Sequence, residues 1–158
     1  MSPESRKRAM AIFRNPAWIS FTWFGMTAGI SLLATPVRFS ATTITRPIAL
    51  DVGRVVFAAL NKAEFVALIV LLVVIRVSGK IRNYIAVTGV LALILLVQAV
   101  WLLPDLAART DLIISGVEPA RSIVHAAYSV LELTKLVLLL FLGFRSLQIL
   151  LEQQSGTR

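Results

Sequence analysis

Four long stretches nearly free of charge decide what this chain can fold into: residues 18–37, 55–75, 85–103 and 123–144. Each holds about 20 residues, and at about 1.5 Å of rise per residue such a helix crosses the ~30 Å hydrocarbon layer of a bilayer. Backbone groups in lipid meet no water, so they must be bonded within their own segment, and helices satisfy that demand. Of the 158 residues 58% are apolar and only 15% charged, too apolar for an ordinary soluble domain. The prediction is an all-α membrane protein, a four-transmembrane-helix bundle. Its spans lie near 17–37, 54–76, 83–103 and 122–144, in one domain over 16–145. A basic tail, 1–15, and a polar tail, 146–158, flank it.

The net charge of +8 invites a nucleic-acid reading, but its distribution is that of an oriented membrane protein. With the amino terminus inside, nine basic residues fall on the inner side: Arg6, Lys7, Arg8, Arg14, Arg76, Lys80, Arg82, Arg145 and Arg158. Five fall outside: Arg38, Arg46, Arg54, Arg109 and Arg121. Lysine and arginine bias sets topology, so both termini are expected in the cytoplasm. The Arg6-Lys7-Arg8 cluster suits anionic lipid headgroups, and the expected partner is the bilayer rather than nucleic acid. The chain has no cysteine, which excludes disulfides, thiolate metal sites and cysteine nucleophiles.

The first apolar stretch follows a basic leader, as a signal peptide would. It is longer than a typical signal core and no small-x-small cleavage site follows, so it reads as an uncleaved span. Trp18 and Trp23 look like interface anchors. Gly25-Met-Thr-Ala-Gly29 is a G-x-x-x-G, expected to let a neighbouring helix approach within the bundle, with dimerisation as the lesser use. Pro36 is expected to end the span, and residues 37–51 to form an outer loop. A short basic turn, 76–82, makes spans two and three antiparallel neighbours. Span three holds one strongly polar residue, Gln98, then Trp101 and Pro104. In the second outer loop, 105–121, Leu106, Ile113 and Ile114 allow a short helix on the membrane surface.

A register of 68 residues runs through the chain. Ala58-Ala59 and Glu64 fall on Ala126-Ala127 and Glu132, Arg14-Asn15 on Arg82-Asn83, and Pro36 on Pro104. These landmarks predict two parallel-oriented helical-hairpin repeats, related by an axis along the membrane normal as in parallel-repeat transporters.

Spans two and four each carry a carboxylate and a lysine. Glu64 and Glu132 sit about ten residues, or ~15 Å, from the outer end of their spans, near the bilayer midplane. A charge at that depth costs ~3 kcal/mol or more, so Glu64, Glu132, Lys62 and Lys135 are all expected to point inward and to balance one another. Glu132 and Lys135 can meet at i, i+3. Glu64 is left to Lys62, Lys135 or a water-filled cavity. Arg121, His125, Tyr128, Glu132 and Lys135 follow helical spacing as one stripe, and Arg54, Phe57, Asn61, Glu64 and Leu68 as another. Asn61 and Tyr128 are the candidate orienting donors. Such groups mark ion, proton or polar-solute paths, and they also fasten helices together, at ~0.6–2 kcal/mol for each interhelical hydrogen bond.

His125, the one histidine, can act as a proton acceptor near the outer mouth. Alone it cannot supply two axial haem ligands, and no carboxylate cluster of suitable spacing surrounds it, so no metal or cofactor is assigned. Its pairing with Ser129 at i, i+4 lacks a third group. No glycine-rich phosphate loop, G-x-S-x-G or H-E-x-x-H occurs, and enzymatic activity is not predicted.

Trp23-Phe-Gly25, Ala34-Thr-Pro36-Val-Arg-Phe39, Asp51-Val-Gly-Arg54, Asn61-Lys-Ala-Glu64 and His125-Ala-Ala-Tyr128 with Glu132 and Lys135 together resemble a family of small four-span bacterial inner-membrane proteins of unassigned function, distantly like eukaryotic small transmembrane proteins. The resemblance covers residues 18–145 and implies a bacterial inner membrane; it carries no activity. Three functions stay open. The first is binding or passage of a proton, ion or small polar solute at the Glu64/Glu132 centre. The second is a non-catalytic scaffold or assembly partner, as a homo-oligomer or with another membrane protein. The third is a small redox or lipid-binding subunit using His125.

Overall fold

The computed structural model describes residue 6 and residues 10–79 and 81–155; Lys7, Arg8, Lys80 and Arg158 of the charge argument lie outside them. The described residues contain helices and no strand. Four of the helices are long and apolar enough to cross a membrane: α1 (Ala17–Arg38), α2 (Arg46–Ser78), α3 (Ile81–Val97, continuing through Gln98–Leu102 and Leu103–Ile114) and α4 (Val124–Ser155). The distribution of side chains inverts that of a water-soluble bundle. Val66, Ile69, Leu93 and Val137 are at least 60% exposed, whereas Glu64, Gln98 and Lys135 are wholly buried. Water would penalise the first set and lipid the second, so this is a multi-pass membrane protein.

Three helices outrun the predicted spans. Neither Pro36 nor Pro104 ends its helix. Each lies in the first turn of an α-helical segment that directly follows a π-helical one, Gly29–Ala34 or Gln98–Leu102. The Thr35 and Leu103 amides reach back five residues, to the carbonyls of Ile30 and Gln98. This widened turn makes room for a ring that would clash in an α-helix and that has no N–H to offer. The surface helix allowed by Leu106, Ile113 and Ile114 is therefore a continuation of α3. It packs against α2, and Arg54 of α2 binds Asp111. Helix α2 itself begins at Arg46, inside the expected outer loop, because Pro47 in its first turn is preset for a helical start. It stops at Gly79, whose φ of 71° suits a residue without Cβ. Helix α4 runs on through the expected polar tail to Ser155.

The helices form a ring in which α1 packs against α2 and α4, and α3 packs against α2 and α4. So α1 faces α3 across one diagonal and α2 faces α4 across the other. Apolar side chains fill the ring in two blocks. One gathers Trp23, Leu71, Leu91, Leu95, Leu139 and Leu142 towards the Arg14 end. The other gathers Leu102, Val124 and Tyr128 towards the Arg38 end. Between the blocks lies a layer of polar side chains. The Arg14 end is tied by Asn15, whose Oδ1 accepts the Ala17 amide at 2.8 Å while its Nδ2 donates to the Ser146 carbonyl at 2.9 Å. At the other end Arg46 pairs with Glu118, Arg109 with Asp105, and Arg54 with both Asp51 and Asp111.

Gly25 and Gly29 correct the reading of the G-x-x-x-G motif. Both are exposed and a Cβ on either would meet nothing within 4 Å, so the motif faces outward and admits no helix of this bundle. The close approach occurs at Gly143 of α4, where a Cβ would lie 2.8 Å from the Phe21 ring.

A buried carboxylate–ammonium centre

Helical spacing puts Trp23 and Thr27, four residues apart, on one face of α1. Both donate to Glu64 Oε1 of α2, Trp23 Nε1 at 3.0 Å and Thr27 Oγ1 at 2.8 Å. Ser31 lies one turn further, inside the π segment. A wider turn rotates less per residue, which keeps Ser31 nearer the Trp23–Thr27 face than a straight α-helix would. Its hydroxyl donates to Glu132 Oε1 of α4 at 2.7 Å. Gln98 opens the π segment of α3 and donates through Nε2 to Glu132 Oε2 at 2.8 Å. Both π segments thus supply a ligand to the same carboxylate.

Lys135 closes the network. One turn along α4 from Glu132, its Nζ lies 2.9 Å from Glu132 Oε2. It crosses the α2–α4 diagonal to Glu64, 2.6 Å from Oε1 and 2.7 Å from Oε2. Its third acceptor is Gln98 Oε1 at 3.1 Å. The three N–H groups of an ammonium therefore have three partners on three helices. Gln98 uses both ends of its amide, donating to one carboxylate and accepting from the lysine. All four helices meet here, at side chains with at most a few per cent exposure apart from the half-buried Ser31. Coulombic attraction is strong where water is excluded, and so is the cost of leaving any one of these groups alone.

Three of the seven sequence candidates converge: Glu64, Glu132 and Lys135. Lys62 does not. It is exposed on α2, pointing away from the ring, because two residues along a helix are about 200° apart and Glu64 already faces inward. Its long stem can carry the ammonium along the apolar surface towards the headgroups. The centre consequently holds two carboxylates and one ammonium, and its ionised charge sums to −1 rather than to zero. Asn61 is buried, but its Nδ2 has no partner and it donates to neither carboxylate. Tyr128 is buried in the apolar block of the Arg38 end, edge-on to Phe57 with ring centroids 5.3 Å apart. His125 is exposed, and its carbonyl accepts the Ser129 hydroxyl at 3.0 Å.

The donors to the carboxylates, Trp23, Thr27, Ser31 and Gln98, are the residues that the charge-first reading passed over. A usable signal exists in span one: Ser20, Trp23, Thr27 and Ser31 recur at steps of three or four residues, a polar stripe on an otherwise apolar helix. Among the described residues no three His, Asp or Glu side chains gather to hold a metal ion. No protein-family model, curated protein or solved structure matches the chain.

Proposed function

We propose that the protein works by reversible protonation of the Glu64–Lys135–Glu132 centre. The observation that carries this reading is the charge count. Two carboxylates share one ammonium in a water-excluded layer, and the lysine that would have balanced the second, Lys62, lies outside. A net negative charge in that layer is expensive, and a proton is the smallest cation that removes it. The π segments that carry Ser31 and Gln98 support a centre whose ligands can be withdrawn, since a π turn can relax to an α turn and such turns concentrate at functional sites. The architecture behind the proposal is a pair of like-oriented helical hairpins. It is supported by the two diagonals of the ring, one pairing α1 with α3 and the other α2 with α4. The π segments also end 68 residues apart, at Ala34 and Leu102. The proposed setting is a bacterial inner membrane with both termini in the cytoplasm, as the basic residues of the Arg14 end favour.

The test is proton uptake into vesicles reconstituted with the purified protein. Under an imposed membrane potential the wild type and Lys62→Met are expected to take up protons, and Glu132→Gln and Glu64→Gln are not. Infrared difference spectra across a pH titration should show a protonated-carboxyl band that the double variant Glu64→Gln, Glu132→Gln removes. Uptake unchanged in both glutamine variants overturns the proposal.

A second reading has its own observation: every side chain in the centre is hydrogen-bonded to another, and all four helices contribute at least one. A permanent fastener in a non-catalytic scaffold looks like this. It predicts that Glu132→Gln lowers stability while the protonated-carboxyl band is absent from the wild type.

A further inference from the structure

The arginines at the Arg38 end are treated unequally. Arg46, Arg54 and Arg109 are each held by acids, and between them they occupy Asp51, Asp105, Asp111 and Glu118. Arg121 is exposed to solvent. Arg38 has neither an acid nor full exposure. Its side chain is half-buried, its Nε is fully buried with no hydrogen-bond partner, and its closest charge-type contact is the ring of Phe39, 5.1 Å from the guanidinium carbon.

The place where Arg38 rests is shaped for it. The Nη1/Nη2 end of the guanidinium abuts Gly53 of α2, so close that a Cβ there would stand 2.7 Å from both nitrogens and 3.0 Å from Cζ. Glycine in a helix interior costs about 1 kcal/mol relative to alanine, and at this position its absent side chain is what admits the arginine. Arg38 also ends α1, which covers 22 residues from Ala17. A helix of that length is about 33 Å long, which sets its last residue beyond the hydrocarbon layer, at the level of phosphate groups. Val37 and Phe39 on either side are at least 50% exposed and offer apolar contact beside it.

We propose that Arg38, seated on Gly53, is a binding site for a phosphate anion. The guanidinium N–H bonds that do not meet Gly53 can each donate to a phosphate oxygen, and the missing counter-charge is the ligand's. The phosphate can belong to a phospholipid headgroup or be free in solution, and the experiment separates the two. The site is independent of the protonation centre.

Purified protein in detergent is presented with phosphatidylglycerol, or separately with inorganic phosphate, and bound adducts are counted by native mass spectrometry. The wild type is expected to retain one phosphatidylglycerol. Arg38→Gln and Gly53→Ala should each weaken retention by about tenfold or more, the loss of one charge-assisted contact worth about 1.4 kcal/mol or more. Gly53→Ala is the decisive variant, because its methyl displaces only the flexible end of Arg38 and favours the helix, so lost binding cannot be blamed on lost fold. Arg121→Gln should change nothing. Binding of inorganic phosphate with the same dependence on Arg38 and Gly53 assigns the site to a free anion. Equal retention by wild type, Arg38→Gln and Gly53→Ala, an equal loss in Arg121→Gln, or no binding of either probe overturns the proposal.

Discussion

Lys135 Nζ lies 2.6 Å from Glu64 Oε1, a contact between residues 71 apart in sequence that reaches across the bundle with neither side chain exposed. It joins the two helices that otherwise face each other only over the diagonal. Removing the ammonium leaves two carboxylates buried side by side. Lys135→Met is therefore expected to destabilise the protein by about 3–5 kcal/mol, the range for breaking a buried ion pair on one side. Unfolding in mixed detergent micelles measures this. Adding Glu64→Gln to the same chain should recover most of the loss, because the remaining carboxylate then faces neutral donors.

Thr27→Val isolates one hydrogen bond at nearly constant volume. The Thr27 hydroxyl has a single partner, Glu64 Oε1 at 2.8 Å, in a site where Thr27 is wholly buried. Its removal should cost about 1.5–3 kcal/mol, the span for bonds to a charged acceptor. Thr22→Val, one turn earlier on the exposed face of α1, should stay within about 0.5 kcal/mol of wild type in the same assay.

Lys62→Met separates the sequence reading from the structure. Were Lys62 a counter-ion of the centre, its loss would rival that of Lys135. Exposed on α2 and absent from the network, it should change stability by no more than about 0.5 kcal/mol. A loss of several kcal/mol in micelle unfolding would mean that Lys62 turns inward.

The spans were legible because lipid demands about twenty apolar residues in a row, and no local detail overrides that demand. Glu64, Glu132 and Lys135 were legible for the same reason, since charge inside such a run must be buried among protein. Lys62 obeys the same rule yet points outward. A long flexible stem gives it a route to the interface that a carboxylate on a short stem lacks, and charge counting alone does not see stem length. Tryptophan favours interfaces, so sequence alone makes Trp23 an anchor; its indole N–H instead serves Glu64 in the bundle interior. The π segments leave one trace in sequence, a proline where the helix does not stop. Pro36 reads as a terminator until the five-residue backbone bond before it is known.

Gly143 carries the packing role that the sequence assigns to Gly25 and Gly29. Helix α1 makes its most extensive contact with α4, and at Gly143 the Phe21 ring fills the space of a side chain, with Cε1 2.8 Å and Cζ 2.9 Å from an added Cβ. Phe21 is also held edge-on against Phe144, ring centroids 5.2 Å apart, so the ring has little freedom to retreat. Gly143→Ala is thus expected to push α1 from α4 and to cost about 1–3 kcal/mol, the usual penalty for overpacking a filled contact. Gly25→Ala, which meets open space, should be neutral or slightly stabilising through helix propensity. Combining Gly143→Ala with Phe21→Leu should return most of the lost stability, because the smaller side chain vacates the volume the methyl needs. If Gly143→Ala unfolds at the same denaturant activity as wild type in micelles, the α1–α4 contact is looser than this packing requires.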